Sequence, residues 1–176
     1  MQNELERYLI LGMPLTGKTT LAKRFSKKYD IPVLCADNYR DDWNLLDFSC
    51  GTATGIKAEK QVEFYIKLAS IYDKYPRVIL EGSSIYPEDY IFFNPNKVVL
   101  LSRYRITCKE LLSDCRKHEN KSSWTYWYGD EELSDLLKRY IEISDMWFNE
   151  NRTISIDTKD FEQGIEKAIE FMEAVY

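Results

Sequence analysis

Histidine is almost missing from this 176-residue chain, which has one, His118. A single imidazole cannot build a metal centre by itself. Cysteine is sparse as well, and Cys35, Cys50, Cys108 and Cys115 show no close C-x-x-C spacing. Cys108 and Cys115 fall two turns apart on one predicted helix face, as small buried apolar residues do. Neither structural zinc nor an oxidising compartment is expected, and a cytoplasmic location follows. No apolar run approaches membrane-spanning length, and the start, Met1 to Arg7, is polar and acidic rather than signal-like. Positive charge is in deficit too. With a net charge of −5, a nucleic acid is not expected as the main partner. Repeats, low-complexity tracts and linker-like stretches are absent, so residues 1–176 read as one domain.

What the chain does contain is apolar and aromatic material in an alternating pattern. Hydrophobic residues make up 44%, and thirteen tyrosines, eight phenylalanines and four tryptophans argue against long disorder. Short, almost continuously apolar runs at Arg7–Leu11, Pro32–Ala36, Arg77–Glu81, Lys97–Ser102 and Thr153–Ile156 predict strands covered on both faces. Helical stripes lie between them. One carries Leu21, Ala22, Phe25 and Tyr29, and the next Val62, Tyr65, Ile66, Ala69 and Tyr72. A third carries Cys108, Leu111, Leu112 and Cys115, and a fourth runs from an Asp130 cap through Leu137 and Tyr140 to Trp147 and Phe148. The last, with Phe161, Ile165, Ala168, Ile169 and Met172, opens on an Asp160-x-x-Gln163 capping box. Strand–helix alternation predicts an α/β fold with a parallel sheet and helices on both faces. Two stretches escape the periodicity. Asp37–Ile56 is a polar and aromatic insertion, and Arg116 to about Asp130 reads as a lid.

The most informative segment is Gly12-Met13-Pro14-Leu15-Thr16-Gly17-Lys18-Thr19, directly after the apolar run Tyr8–Leu11. It matches G-x-x-x-x-G-K-[ST], a P-loop, between a strand and a helix. Gly12 and Gly17 let the backbone curl so that successive N–H groups face a phosphate. Lys18 reaches the terminal phosphates, Thr19 is placed for Mg²⁺, and the helix that continues through Thr20 turns its positive end toward the anion. A chance match in a chain this long is on the order of 1%. The loop therefore predicts nucleoside triphosphate binding through residues 12–20.

Other candidates cluster at strand ends. Asp37 follows the second strand, where a carboxylate orients or deprotonates an attacking hydroxyl, or holds a water of the Mg²⁺ shell. Arg40, one turn on, is a candidate clamp for an anionic acceptor. Glu81 ends the third strand beside Gly82-Ser83-Ser84 and serves either metal or acceptor. Arg103, Arg105, Arg116, Lys117 and Lys121 follow the fourth strand, with Arg116 the first choice for charge delivered to a transferring phosphoryl group. Trp124, Tyr126, Trp127 and Tyr128 either stack on a ring or pack the lid. Asp157-Thr158-Lys159-Asp160 after the fifth strand either faces the nucleotide base or is an ordinary turn and cap.

Taken together, the loop with Thr20, Asp37 after strand two, Glu81-Gly82 after strand three, an Arg-bearing lid and Asp157-Thr158 after strand five resemble the small P-loop kinases. These are the nucleoside monophosphate kinase, shikimate kinase and uridine kinase-like families. The resemblance spans essentially the whole chain and implies a three-layer fold with a five-stranded parallel sheet in the order 2-3-1-4-5. It also implies an ATP·Mg²⁺ donor and a small hydroxyl- or phosphate-bearing acceptor under a flexible cap. By position, Lys18 and Thr19 would bind phosphates and metal, Asp37 would face the acceptor, and Arg116 would act from the lid. The chain lacks the arginine pair typical of adenylate kinase lids. Where shikimate kinases carry a Gly-rich triplet it has Glu81-Gly82-Ser83-Ser84. The expected activity is ATP-dependent phosphotransfer. The alternative is a regulatory P-loop NTPase with slow hydrolysis and no small-molecule acceptor.

Overall fold

Each predicted apolar run becomes a strand, and each strand is apolar on both sides because helices cover both faces of the sheet. The computed structural model describes residues 5–50, 52–103, 107–117, 130–146 and 151–174. Strands β1 (Glu6–Gly12), β2 (Val33–Cys35), β3 (Arg77–Gly82), β4 (Lys97–Ser102) and β5 (Thr153–Asp157) form one sheet in the order β2-β3-β1-β4-β5. Every neighbouring pair is parallel. The fold class and strand order expected from the resemblance are both observed.

Alternate residues of the central strands divide into two cores. Leu9, Leu11, Val78, Leu80, Val98 and Leu100 face one side, with Phe64, Tyr65, Leu68 and Tyr72 of helix α3 (Ala58–Tyr72). Leu137 and Tyr140 of α5 (Asp130–Met146) join them, while α4 spans Cys108–Lys117. Tyr8, Ile10, Ile79, Val99 and Leu101 face the other side, under Leu21, Ala22 and Phe25 of α1 (Lys18–Tyr29) and Ile165, Ala168 and Met172 of α6 (Phe161–Glu173). Complete burial of side chains this size contributes roughly 1.5–3 kcal/mol each. The predicted cap of α6 is present, with Asp160 accepting from the backbone N–H of Gln163.

Three expectations change. The predicted stripe of α3 is rotated: Val62 and Ile66 are 52% and 61% exposed, while Gln61, Phe64 and Leu68 turn inward. The two stripes share Tyr65 and Tyr72, and the sheet selects the one that buries Phe64 and Leu68 in place of Val62 and Ile66. The insertion at 37–56 is not irregular at its start, because Ala36–Asp42 forms a helix, α2. Seven residues are too few to display a helical period. A 3₁₀ segment at Phe48–Cys50 follows, and another, unpredicted, lies at Pro87–Phe93. Finally, the predicted lid begins and ends on helices. Arg116 and Lys117 belong to α4, and Asp130 is the first residue of α5. Residues 118–129, with four of the lid aromatics, and Trp147 and Phe148 lie outside the described residues.

Candidate active site

The carboxyl ends of β1, β2 and β3 converge on a cleft of about 410 Å³, at the sheet edge where open α/β folds bind ligands. One wall is the glycine-rich loop. Gly12 has φ +141°, and a Cβ there would lie 2.0 Å from the Leu101 carbonyl oxygen of the neighbouring strand. Gly17, at φ +98°, backs onto the Phe161 ring, which a Cβ would meet at 2.7 Å. Leu15 adopts the left-handed region as well, at φ 61°. Side chains brace the curl from inside. The Thr16 hydroxyl donates to the Met13 carbonyl at 2.8 Å, and the Lys18 ammonium donates to the same oxygen at 2.7 Å. With α1 opening at Lys18, backbone N–H groups and the positive helix end bear on the same space.

The loop is also held from a strand end that sequence reasoning assigned differently. Thr158 is almost fully buried, and its hydroxyl donates to the Thr16 carbonyl at 2.8 Å. Its N–H donates to the Ser102 carbonyl at 2.8 Å. Thr158 therefore acts as a strut under the loop, a role invisible in a stretch that reads as a turn before a helix cap.

Lys18, Thr19 and Glu81 meet at the floor of the cleft. Burial pulls the Lys18 ammonium below its usual pKa, opposed by the nearby Asp37 and Glu81 carboxylates. Burial pushes the Glu81 carboxyl up, against the pull of Lys18. The Thr19 hydroxyl donates to Glu81 Oε1 at 3.3 Å. This pairing joins the two residues expected to serve Mg²⁺. A hydroxyl and a buried carboxylate are hard oxygen donors that fit Mg²⁺, which takes few protein ligands and completes its shell with phosphate and water. Among the described residues no larger group of His, Cys, Asp and Glu is placed to hold a metal. Cys35, unassigned from the sequence, also lines the cleft. Burial pushes its thiol up to about 12, the direction expected where a thiolate would be desolvated.

The opposite wall comes from α2 and the turn after β3. Asp37 Oδ1 accepts from the N–H groups of Ser83 and Ser84 at 3.0 and 2.8 Å and from the Ser84 hydroxyl at 2.5 Å. Oδ2 has a 3.2 Å contact from the Ser83 N–H. Gly82, at φ +157°, lets the turn approach, since a Cβ there would lie 3.0 Å from Asp37 Oδ1. Arg40 is buried, donating from Nε to Asp41 Oδ1 at 2.8 Å and from a terminal nitrogen to the Thr54 carbonyl at 3.2 Å. Gln61 closes the circuit, accepting from the Thr54 hydroxyl at 2.7 Å and donating to the Ser84 carbonyl at 3.0 Å. The structure thus brings Pro14, Leu15, Gly17, Lys18, Thr19, Thr20, Asp37, Arg40 and Glu81 to one cleft. Arg103 sits apart against Asp114 of α4 at 2.9 Å. Arg105 and Lys121 lie outside the described residues.

No protein-family model matches this sequence, and no curated protein matches it in sequence. Solved structures do match in shape. A sugar kinase from Janibacter sp. HTCC2649 is 18% identical, covering 94% of this chain and 93% of its own, with a TM-score of 0.65. The shikimate kinase of Aquifex aeolicus is 13% identical over 95% of this chain and 96% of its own, at 0.64. The deoxyadenosine kinase of M. mycoides, solved with bound dATP, is 16% identical over 96% and 100%, at 0.61. With its parallel sheet, strand order and glycine-rich loop, this chain has the fold of the small P-loop kinases.

Proposed function

We propose that the protein is an ATP-dependent kinase that moves the γ-phosphoryl group of ATP to a small acceptor. The observation that carries this reading is the single cleft with Lys18 and the curled loop on one wall and Asp37 on the other, separated by the Thr19–Glu81 pair. In this reading the loop's N–H groups and Lys18 hold the β- and γ-phosphates, and Asp37 receives the acceptor hydroxyl and aligns it. Thr19 and Glu81 would hold Mg²⁺, which when bound neutralises phosphate charge. Arg116, in α4, adds positive charge at the transferring group. A purely regulatory NTPase needs no second wall, whereas here buried bonds from α2, α3 and the β3 turn hold one in shape.

The test is an acceptor screen that follows ATP consumption and identifies the phosphorylated product, across nucleosides, nucleoside monophosphates, sugars and shikimate-like alcohols. A phosphorylated acceptor is expected. ATP binding with no transfer across the whole panel would instead support the regulatory reading.

A further inference from the structure

We infer that the acceptor is a neutral hydroxyl compound, such as a nucleoside or an uncharged sugar, rather than a carboxylate or phosphate ester. The inference deepens the kinase reading above and rests on it. Its basis is the disposition of charge around the cleft. On the donor wall Lys18 faces Glu81, and both are committed to phosphate and metal. The remaining charged groups lining the cleft, among the described residues, are Asp37, Asp41 and Arg40. Two carboxylates therefore oppose one guanidinium on the acceptor wall.

That guanidinium is already engaged. Its side chain is 6% exposed, with Nε on Asp41 and a terminal nitrogen on the Thr54 carbonyl. A bidentate clamp on an incoming anion needs a free fork of donors. Here the neighbouring carboxylate takes part of that fork and cancels its charge. Arg139, a cation of α5 that lies over the Tyr86 ring, is likewise paired with Glu88. An anionic acceptor would meet Asp37 with no unpaired cation among the described residues that line the acceptor wall, and like charges at close range disfavour binding.

The hydrogen-bond pattern points the same way. Asp37 Oδ1 is filled by three donors from Ser83 and Ser84, whereas Oδ2 has the one long contact at 3.2 Å. Oδ2 thus retains capacity to accept, and a hydroxyl supplies the matching donor. A phosphate dianion that is itself the phosphoryl acceptor presents only further acceptors, and against carboxylate-bearing alcohols the charge argument above decides. In the transfer itself, the acceptor oxygen forms a bond to the γ-phosphorus while the bond to the ADP oxygen breaks. The hydroxyl proton passes to Asp37 or to solvent.

The experiment uses the intact chain with ATP·Mg²⁺ and acceptor pairs that differ in charge: adenosine with AMP, deoxyadenosine with dAMP, glucose with gluconate, and shikimate methyl ester with shikimate. The neutral member of the active pair is expected to show at least tenfold higher kcat/KM. Asp41→Asn, which frees Arg40, is expected to shift that ratio toward the anionic member by roughly three- to tenfold, as a partly exposed ion pair allows. Equal or better transfer to the anionic members by the wild-type chain overturns this inference while leaving the kinase reading intact. An unchanged ratio in Asp41→Asn also counts against it. Bound ATP with no transfer to either class removes the kinase reading, and the inference falls with it.

Discussion

Residues 12–19 take most of their shape from within, with positive φ at Gly12, Leu15 and Gly17 and short side-chain bonds from Thr16 and Lys18 to the Met13 carbonyl, and they lean on one outside strut, Thr158. The facing wall draws on more segments. It is assembled from α2, Thr54, Gln61 of α3 and the turn at Ser83–Ser84, tied by hydrogen bonds between residues up to 47 positions apart. In the proposed kinase the first wall would receive an invariant object, a polyphosphate, which a largely local backbone motif can cradle. The second would have to fit one particular acceptor, and side chains from several segments would give it that individuality. Removing the Lys18 side chain should therefore affect mainly chemistry in the first wall, whereas removing Asp37 should affect chemistry and stability together in the second.

Lys18→Ala is the sharpest form of this contrast. Phosphoryl transfer is expected to fall by about 10³-fold, because the charge is used on the transferring group. Stability should hold or rise, since the variant deletes a buried, desolvated ammonium. Turnover measured beside circular dichroism and a melting curve checks both halves of the statement. Near-wild-type transfer by a folded variant would show that the loop is not the reaction centre.

In the second wall, Asp37→Ala is expected to lower kcat/KM for the acceptor by roughly 10²-fold. It also strips two N–H groups and a hydroxyl of their partner, at a cost of about 1–3 kcal/mol each if left unsatisfied. Urea unfolding should register that loss, and calorimetric ATP affinity should stay close to wild type. An Asp37→Ala protein of undiminished stability would undo the distinction between the walls.

Glu81 sits between the two and gives a smaller, pH-dependent signal. Burial raises its carboxyl above the ordinary 4.5, so the folded chain retains that proton where the unfolded chain has released it. Its contribution to stability is present below about 4.5 and is lost as pH rises through the folded value. Glu81→Gln should flatten this part of the ligand-free stability–pH curve, as read by denaturant midpoints in steps from pH 4 upward. A variant curve parallel to the wild type would place the titration elsewhere. The least effect is expected from Ile66→Ser on the outward face of α3, within about 0.5 kcal/mol of wild type.

Much of the fold is legible in the sequence because sheet strands with two covered faces must be apolar along their length. All five runs carry that mark. The loop is legible for a similar reason: its function needs particular residue types at fixed spacing. Asp37 and Glu81 are singled out by their place at strand ends, and Thr19 by its place in the loop motif. Thr158, Gln61 and Cys35 are not, because a buried threonine strut, a core amide and a partly buried thiol look like ordinary residues until their neighbours are known. The stripe of α3 fails for a related reason. Two overlapping apolar faces are available on that helix, and only the packing partner distinguishes them.

By itself, then, the sequence determined what is local or periodic. It set the positions of the strands, the phosphate loop with its positive φ glycines, and the cap of α6, since each depends on residues close along the chain. Tertiary structure alone decided that Val62 and Ile66 face outward, that Arg40 reaches the Thr54 carbonyl, and that Thr158 supports the loop. It also decided that Asp37 is fixed by a turn 46 residues away. Such pairings depend on which segments the sheet brings together, and burial then makes every unsatisfied donor or charge costly enough to fix its partner.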